Sequence, residues 1–139
     1  MGGQGDDVIS TTTSYNILYG NLGNDTLHGG TGHDILRGGR GDDSIVAGSG
    51  PEWISGDRGD DTIQAGSGAD TFHSSSGAGL DLVIGFDPAK GDHVQLDPGT
   101  QYTVYQSGAD VVVDMGNGDQ VDLQGVSLSN LPKGWLFEA

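Results

Sequence analysis

An acidic residue returns every nine positions through the first half of this chain: Asp7, Asp25, Asp34, Asp43, Glu52, Asp61 and Asp70, with Asn16 in the one remaining place. Carboxylates in such a register can supply oxygen ligands to a hard cation, which takes six to eight oxygens at about 2.3–2.6 Å. They can also cap turns, as a single aspartate commonly does. One Asp-Gly turn would favour capping; eight units in one register favour the cation.

The elements that must position these carboxylates are written in the same repeat. GNLGNDTLH, GGTGHDILR, GGRGDDSIV, AGSGPEWIS and GDRGDDTIQ follow one another from Gly20 to Gln64. The frame extends to GGQGDDVIS before them and AGSGADTFH after, with a degenerate copy, TTTSYNILY, at Thr11–Tyr19. Position eight is always large and apolar: Ile9, Leu18, Leu27, Leu36, Ile45, Ile54, Ile63 and Phe72. Each unit therefore divides into six turn residues and a three-residue strand. The strand alternates polar, apolar, polar, so one side chain points inward. Glycines at positions one, two and four allow backbone conformations that a side chain would forbid. A single unit cannot bury its one apolar residue, but stacked units form a continuous core.

The template G-G-x-G-x-D-x-U-x resembles the calcium-binding repeats of the repeats-in-toxin (RTX) family, found toward the C-termini of secreted bacterial proteins. The resemblance covers roughly the first half of the chain. It implies an all-β fold, a right-handed parallel β-roll with a C-terminal β-strand cap. Two nonapeptides make one coil, so turns on one edge recur every eighteen residues. Stacked strands lie ~4.8 Å apart, so an ion midway between two turns is about 2.4 Å from each, a calcium distance and too long for magnesium.

By the same resemblance the position-six carboxylates Asp7, Asp25, Asp34, Asp43, Glu52, Asp61 and Asp70 would hold the metal. The turns at Gly3, Gly5, Gly20, Gly23, Gly29, Gly32, Gly38, Gly41, Gly50, Gly56, Gly59 and Gly68 would supply backbone carbonyls. About four to six Ca2+ ions are expected. The first edge (Gly2–Asp7, Gly20–Asp25, Gly38–Asp43, Gly56–Asp61) keeps glycine at positions one and four and Asp at six, and should hold three good sites. The second (Thr11–Asn16, Gly29–Asp34, Ala47–Glu52, Ala65–Asp70) should hold one or two, with none beside Thr11–Asn16.

Composition bounds the rest. With a formal charge of −15 on 139 residues, the chain is one small domain or a fragment, and it should avoid nucleic acid and anionic membrane. No apolar run of ~20 residues is present to span a membrane. The absence of cysteine excludes disulfides and thiolate metal sites. The chain opens inside a repeat, which reads as a cut with a larger parent protein upstream.

After His73 the register breaks, and the next apolar position falls near Val83. Residues 1–79 are read as the roll and 80–139 as capping strands with a C-terminal secretion signal. Val83–Leu96 resembles the strand pair that follows such rolls, with the connecting turn at Asp87-Pro88 and Lys90-Gly91. Tyr102–Tyr105 should be a strand, and Val111–Met115 and Gln120–Leu123 should pair across Gly116-Asn117-Gly118-Asp119. Leu123, Val126, Leu128 and Leu131, with Trp135 and Phe137, would cover the last coil.

No H-E-x-x-H, G-x-S-x-G, phosphate-binding loop or dinucleotide fingerprint occurs, so no enzyme is read here. The four histidines read as plain surface residues. Two Arg-Gly-Asp triplets, at Arg40 and Arg58, fall on template positions three to five and read as products of the template, not as adhesion motifs. Two functions remain. One is a monomeric, secreted, calcium-dependent folding module of a larger protein exported through a type I secretion apparatus. The other is a polysaccharide-binding module, as in alginate-epimerase accessory domains, for which Arg37, Arg40 and Arg58 offer a modest basic patch. The family's tails often end in an acidic residue followed by apolar ones; here Leu136-Phe137 precede Glu138-Ala139.

Overall fold

In each nonapeptide the x-U-x triplet is extended and the residues before it turn the chain through the roll. The computed structural model describes all 139 residues, Met1–Ala139. The first ten strands are β1 (Val8–Ser10), β2 (Ile17–Leu22), β3 (Thr26–His28), β4 (Ile35–Arg40), β5 (Ser44–Val46), β6 (Trp53–Arg58), β7 (Thr62–Gln64), β8 (Thr71–Ser74), β9 (Leu80–Ile84) and β10 (His93–Leu96). Odd strands stack in one sheet and even strands in the other, every pair parallel. This is a parallel β-roll of about five coils.

Pairing puts each position-eight residue on the next of its sheet: Ile9 on Leu27, Ile45, Ile63 and Val83, and Leu18 on Leu36, Ile54, Phe72 and Val94. All but the partly buried Ile9 lie in one buried apolar cluster between the sheets. At ~1.5–3 kcal/mol per buried aliphatic side chain, this column is the main apolar stabilisation of the roll.

The break expected after His73 is absorbed in a turn. Two extra residues are taken up between Ser74 and Gly79, and the amide of Gly59 bonds Ala78 O (2.8 Å) as that of Gly41 bonds Arg58 O (2.9 Å). Parallel pairing resumes with Leu82 on Thr62 and Val83 on Ile63. Before β10 the chain makes a short 3₁₀ turn at Pro88–Lys90, capped by the Asp87 side chain and closed by Gly91 in the left-handed region.

The remaining strands are β11 (Thr103–Ser107), β12 (Asp110–Gly116), β13 (Asp119–Leu123) and β14 (Leu136–Glu138). β12 and β13 form the expected hairpin. Asn117 (φ 57°) and Gly118 (φ 91°) both adopt the positive φ that a tight hairpin of right-handed twist requires. β13 adds parallel to β9 and β14 parallel to β10, so both sheets end on tail strands. Val111, Val113, Met115, Val121, Leu123 and Val126 extend the core, and Leu131 and Trp135 pack against it. Phe72, Phe86 and Trp135 continue it as an aromatic chain, with centroids 5.8 and 6.3 Å apart.

Two expected cover residues do not serve. Leu128 is 38% exposed because it begins a second 3₁₀ turn whose amide is held by Gln106 Oε1. Phe137 is 37% exposed and lies edge-on to His93 on the outer side of β14. His73 is more than a surface residue: it stacks on Trp53 and contacts Asp97 at 3.0 Å. No helix is long and apolar enough to cross a membrane.

Candidate metal centre

On the first edge the position-six carboxylates are locked together coil to coil. The amide of Asp7 donates to Asp25 Oδ1 (2.8 Å), that of Asp25 to Asp43 Oδ1 (2.7 Å), and that of Asp43 to Asp61 Oδ1 (2.8 Å). Each carboxylate thus spends one oxygen on its neighbour's backbone. The other oxygens, Oδ2 of Asp25, Asp43 and Asp61, are buried without any partner. A buried acceptor left bare costs ~1–3 kcal/mol, more when charged.

Those bare oxygens face the position-one glycines. A Cβ on Gly20 or Gly38 would overlap the Oδ2 of Asp25 or Asp43 and also the carbonyl of the next coil, Gly38 O or Gly56 O. A Cβ on Gly56 would overlap Asp61 Oδ2. Position four is equally tight: Gly23, Gly41 and Gly59 sit in the left-handed region against the carbonyls of Gly5, Gly23 and Gly41. The result is a cradle of carboxylate and carbonyl oxygens from successive coils, with no donor filling it. Nowhere do three acidic or imidazole side chains converge on one point; each cradle sets one carboxylate Oδ2 beside a backbone carbonyl of the next coil. Oxygen-only donors fit a hard cation such as calcium.

A separate outer ladder runs the other way. Asn24 N donates to Asp6 Oδ1, Asp42 N to Asn24 Oδ1, Asp60 N to Asp42 Oδ1 and Leu80 N to Asp60 Oδ1, at 2.8–3.0 Å. Position five therefore holds the turns together, while position six keeps an oxygen free. Asp7 differs from its neighbours: its Oδ2 accepts from Gly3 N (2.9 Å) and it is only partly buried.

The second edge is less regular. Asp34 Oδ1 accepts from both the backbone amide and the Nδ2 of Asn16 (2.7 and 2.9 Å), so a donor points into the space that a second carboxylate would line. Glu52 N donates to Asp70 Oδ1 (3.0 Å), but the longer Glu52 side chain receives no such bond, and both its oxygens are buried and bare. Oδ2 of Asp34 and of Asp70 are bare as well. Gly29, Gly50 and Gly68 press on the carbonyls of Ala47, Gly32 and Gly50, and Gly32 on Ser14. Position one accepts Ala47 and Ala65 here, so the two edges are built differently.

The sequence matches the RTX calcium-binding nonapeptide repeat (4 copies) over residues 1–36, 19–51 and 46–81, a span taking in more than half of the chain. The chain belongs to the RTX calcium-binding nonapeptide repeat family. No curated protein matches it significantly. Among solved structures it is similar to the AlgE6R3 subunit of the Azotobacter vinelandii mannuronan C5-epimerase (24% identity, TM-score 0.52, over 99% of this chain and 80% of that one). It is also similar to the extracellular lipase LipA of Serratia marcescens (17% identity, TM-score 0.50), covering all of this chain and 39% of the lipase. These likenesses concern the fold; this RTX chain spans about two-fifths of the lipase.

Two RTX positions escape the nonapeptide count. Asp81 stacks on Asp61 and Asp92 on Asp70, because Leu82 pairs with Thr62 and His93 with Thr71. Asp70 N donates to Asp92 Oδ1 (3.0 Å), and Asp81 Oδ1 is buried and bare. The signal was present: Gly79-Leu80-Asp81-Leu82-Val83 and Asp92-His93-Val94 keep the second half of the template after two-residue insertions. Asp92 is the better satisfied of the two, since its Oδ2 takes the amide of Asp87 (2.8 Å).

Without a cation these groups resist ionisation. Burial raises Asp43 to about 7, Asp61 to about 6, Asp81 to about 8 and Glu52 to about 9; neighbouring carboxylates add to the rise at Asp43, Asp81 and Glu52, whereas the hydrogen bond with Asp81 lowers Asp61. Burial raises Asp92 too. A row of carboxyls held this far above 4 calls for a positive charge among them.

Proposed function

We propose that the chain is a non-catalytic, calcium-dependent folding module, secreted as part of a larger protein that leaves the cell through a type I secretion apparatus. The observation that carries this reading is the run of buried, unpartnered position-six oxygens facing carbonyls across successive coils. Asp7, Asp25, Asp43 and Asp61 would hold ions along the first edge, and Asp34, Glu52 and Asp70 along the second. About four to six ions would bind in all, with none beside Asn16. Residues 80–139, which supply the last coil through β9 and β10 as well as the tail strands, close the roll, and the module works as a monomer.

Calcium then serves as the switch. With a per-site dissociation constant of ~10⁻⁴ M, each site adds about 1.4 kcal/mol at ~1 mM calcium, and four add roughly 5–6 kcal/mol. That equals the low end of a whole domain's stability. At submicromolar calcium inside a cell the contribution vanishes and the chain stays threadable. Circular dichroism in chelator and in millimolar calcium tests this. A strand signal only with calcium is expected; the same signal in both would overturn it.

A further inference from the structure

Where the repeat ends, the first edge departs from its own template. Ser74 follows His73, the register partner of Ser55, so it takes on β8 the place that Gly56 holds on β6. Gly20, Gly38 and Gly56 leave that place without a side chain, and a Cβ there would overlap the bare Oδ2 of Asp25, Asp43 or Asp61. At Ser74 a side chain enters the column, and its hydroxyl donates to Asp81 Oδ2 (3.3 Å). The oxygen's lone pairs stay free while its hydrogen is held.

Asp61 and Asp81 also meet differently from the pairs before them. In those pairs the amide of one turn takes Oδ1 of the next carboxylate, leaving Oδ2 bare. Asp81 instead keeps Oδ1 bare and spends Oδ2 on Ser74, and its carboxyl lies within hydrogen-bonding reach of that of Asp61. Asp61, Ser74 and Asp81 are only 1–2% exposed. Neither carboxylate has a basic partner, since the ion pairs of the chain are Arg37–Asp57 and His73–Asp97. Two carboxylates packed this closely away from water ionise together only with a cation between them.

The turn leading to Asp81 is held by the tail. Asp119 of β13 accepts the amides of Gly77 (2.7 Å) and Gly79 (3.1 Å), and Asp60 accepts that of Leu80 (3.0 Å). The second edge ends in the opposite manner. Both oxygens of Asp92 are taken, by the amides of Asp70 and Asp87 (3.0 and 2.8 Å).

We infer that Asp61 Oδ2, Asp81 Oδ1 and the Ser74 hydroxyl form a junction site for calcium that the nonapeptide template does not write. Donors that are all oxygen suit this hard cation, and the rest of a shell of about six to eight oxygens falls to carbonyls and water. The ion ties Asp61 of the repeats to Asp81 of β9, whereas hydrogen bonds alone close the second edge at Asp92. The inference rests on the calcium reading of the repeats and extends it to residues outside their count.

The test is equilibrium dialysis of the full chain against calcium, at the concentration that just saturates the wild type, for wild type and Asp81→Asn. Asparagine keeps an oxygen that can accept from Ser74 and removes the charge. The variant should bind one calcium fewer per chain. In chelator with osmolyte it should fold at least as readily as wild type by circular dichroism, because a buried charge has gone. Wild-type stoichiometry in Asp81→Asn would overturn the site. So would loss of osmolyte-induced folding, which would make Asp81 a prop of the last coil and not a ligand. Both of these results leave the calcium reading standing. That reading fails separately if the wild-type chain binds no calcium and shows the same strand signal in chelator and in calcium.

Discussion

Asp43→Asn separates a ligand from a structural prop, because the two roles predict opposite signs. Asparagine keeps an oxygen able to accept the Asp25 amide, so the coil-to-coil bond survives. What is lost is the charge on the bare Oδ2. In the calcium-free fold, burial holds Asp43 at about 7 against 3.8 when exposed. Its ionisation at neutral pH therefore costs the folded state on the order of 4 kcal/mol. The variant removes that cost, so calcium-free folding should become easier. Calcium binding moves the other way. On the proposed reading Asp43 ligates ions on both sides of its turn, and a tenfold loss at each would cut calcium-dependent stabilisation at ~1 mM by about 1 kcal/mol per site, about 2 in all. Osmolyte-induced folding in chelator measures the first quantity and a calcium titration followed by circular dichroism the second. Asp43 would be shown to be a mere turn cap if the variant folded less readily without calcium and kept the wild-type calcium midpoint.

Gly38→Ala should raise the calcium midpoint at least as much as Asp43→Asn without removing any ligand, since its methyl would occupy the space between Asp43 Oδ2 and Gly56 O; an unchanged titration would contradict the cradle. In calcium-free buffer the strand signal should grow as pH falls. Asp61, Asp43, Asp81 and Glu52 are raised to about 6, 7, 8 and 9, so the folded state holds protons that the unfolded state gives up. That stabilisation is fully present below pH ~4 and disappears as pH rises through 6 to 9; tryptophan fluorescence of Trp53 and Trp135 across this range checks it, and growth of structure toward alkaline pH would contradict it. A chain ending at Gly79 should fail to fold even in excess calcium, because it loses β9, β10 and the strands that close both sheets, leaving Ile63 and Phe72 beside water. Folding of that fragment at the full-length calcium midpoint would dismiss the cap.

What the amino-acid sequence determined by itself was everything that repeats. A nonapeptide with an apolar residue at eight, Asp at six and glycine at one and four specifies a strand, a turn and a core position locally. Stacking copies of it adds no new information. Leu18 to Phe72 therefore formed the core column, and Asp25, Asp43 and Asp61 their row, as the spacing required. Asn117-Gly118 was legible for the same reason, since its turn depends on backbone conformation alone. Only the tertiary structure decided what depends on neighbours distant in sequence. Insertions before Asp81 and Asp92 hide them from a count of nine, and only strand pairing returns them to the carboxylate rows. Which oxygen of each aspartate is spent and which left bare follows from the direction of an amide one coil away. The exposure of Leu128 follows from a turn held by Gln106, and the meeting of Arg40 and Arg58 from an eighteen-residue stack. In each of these cases the deciding atom belongs to another coil or strand, and folding alone brings it into contact.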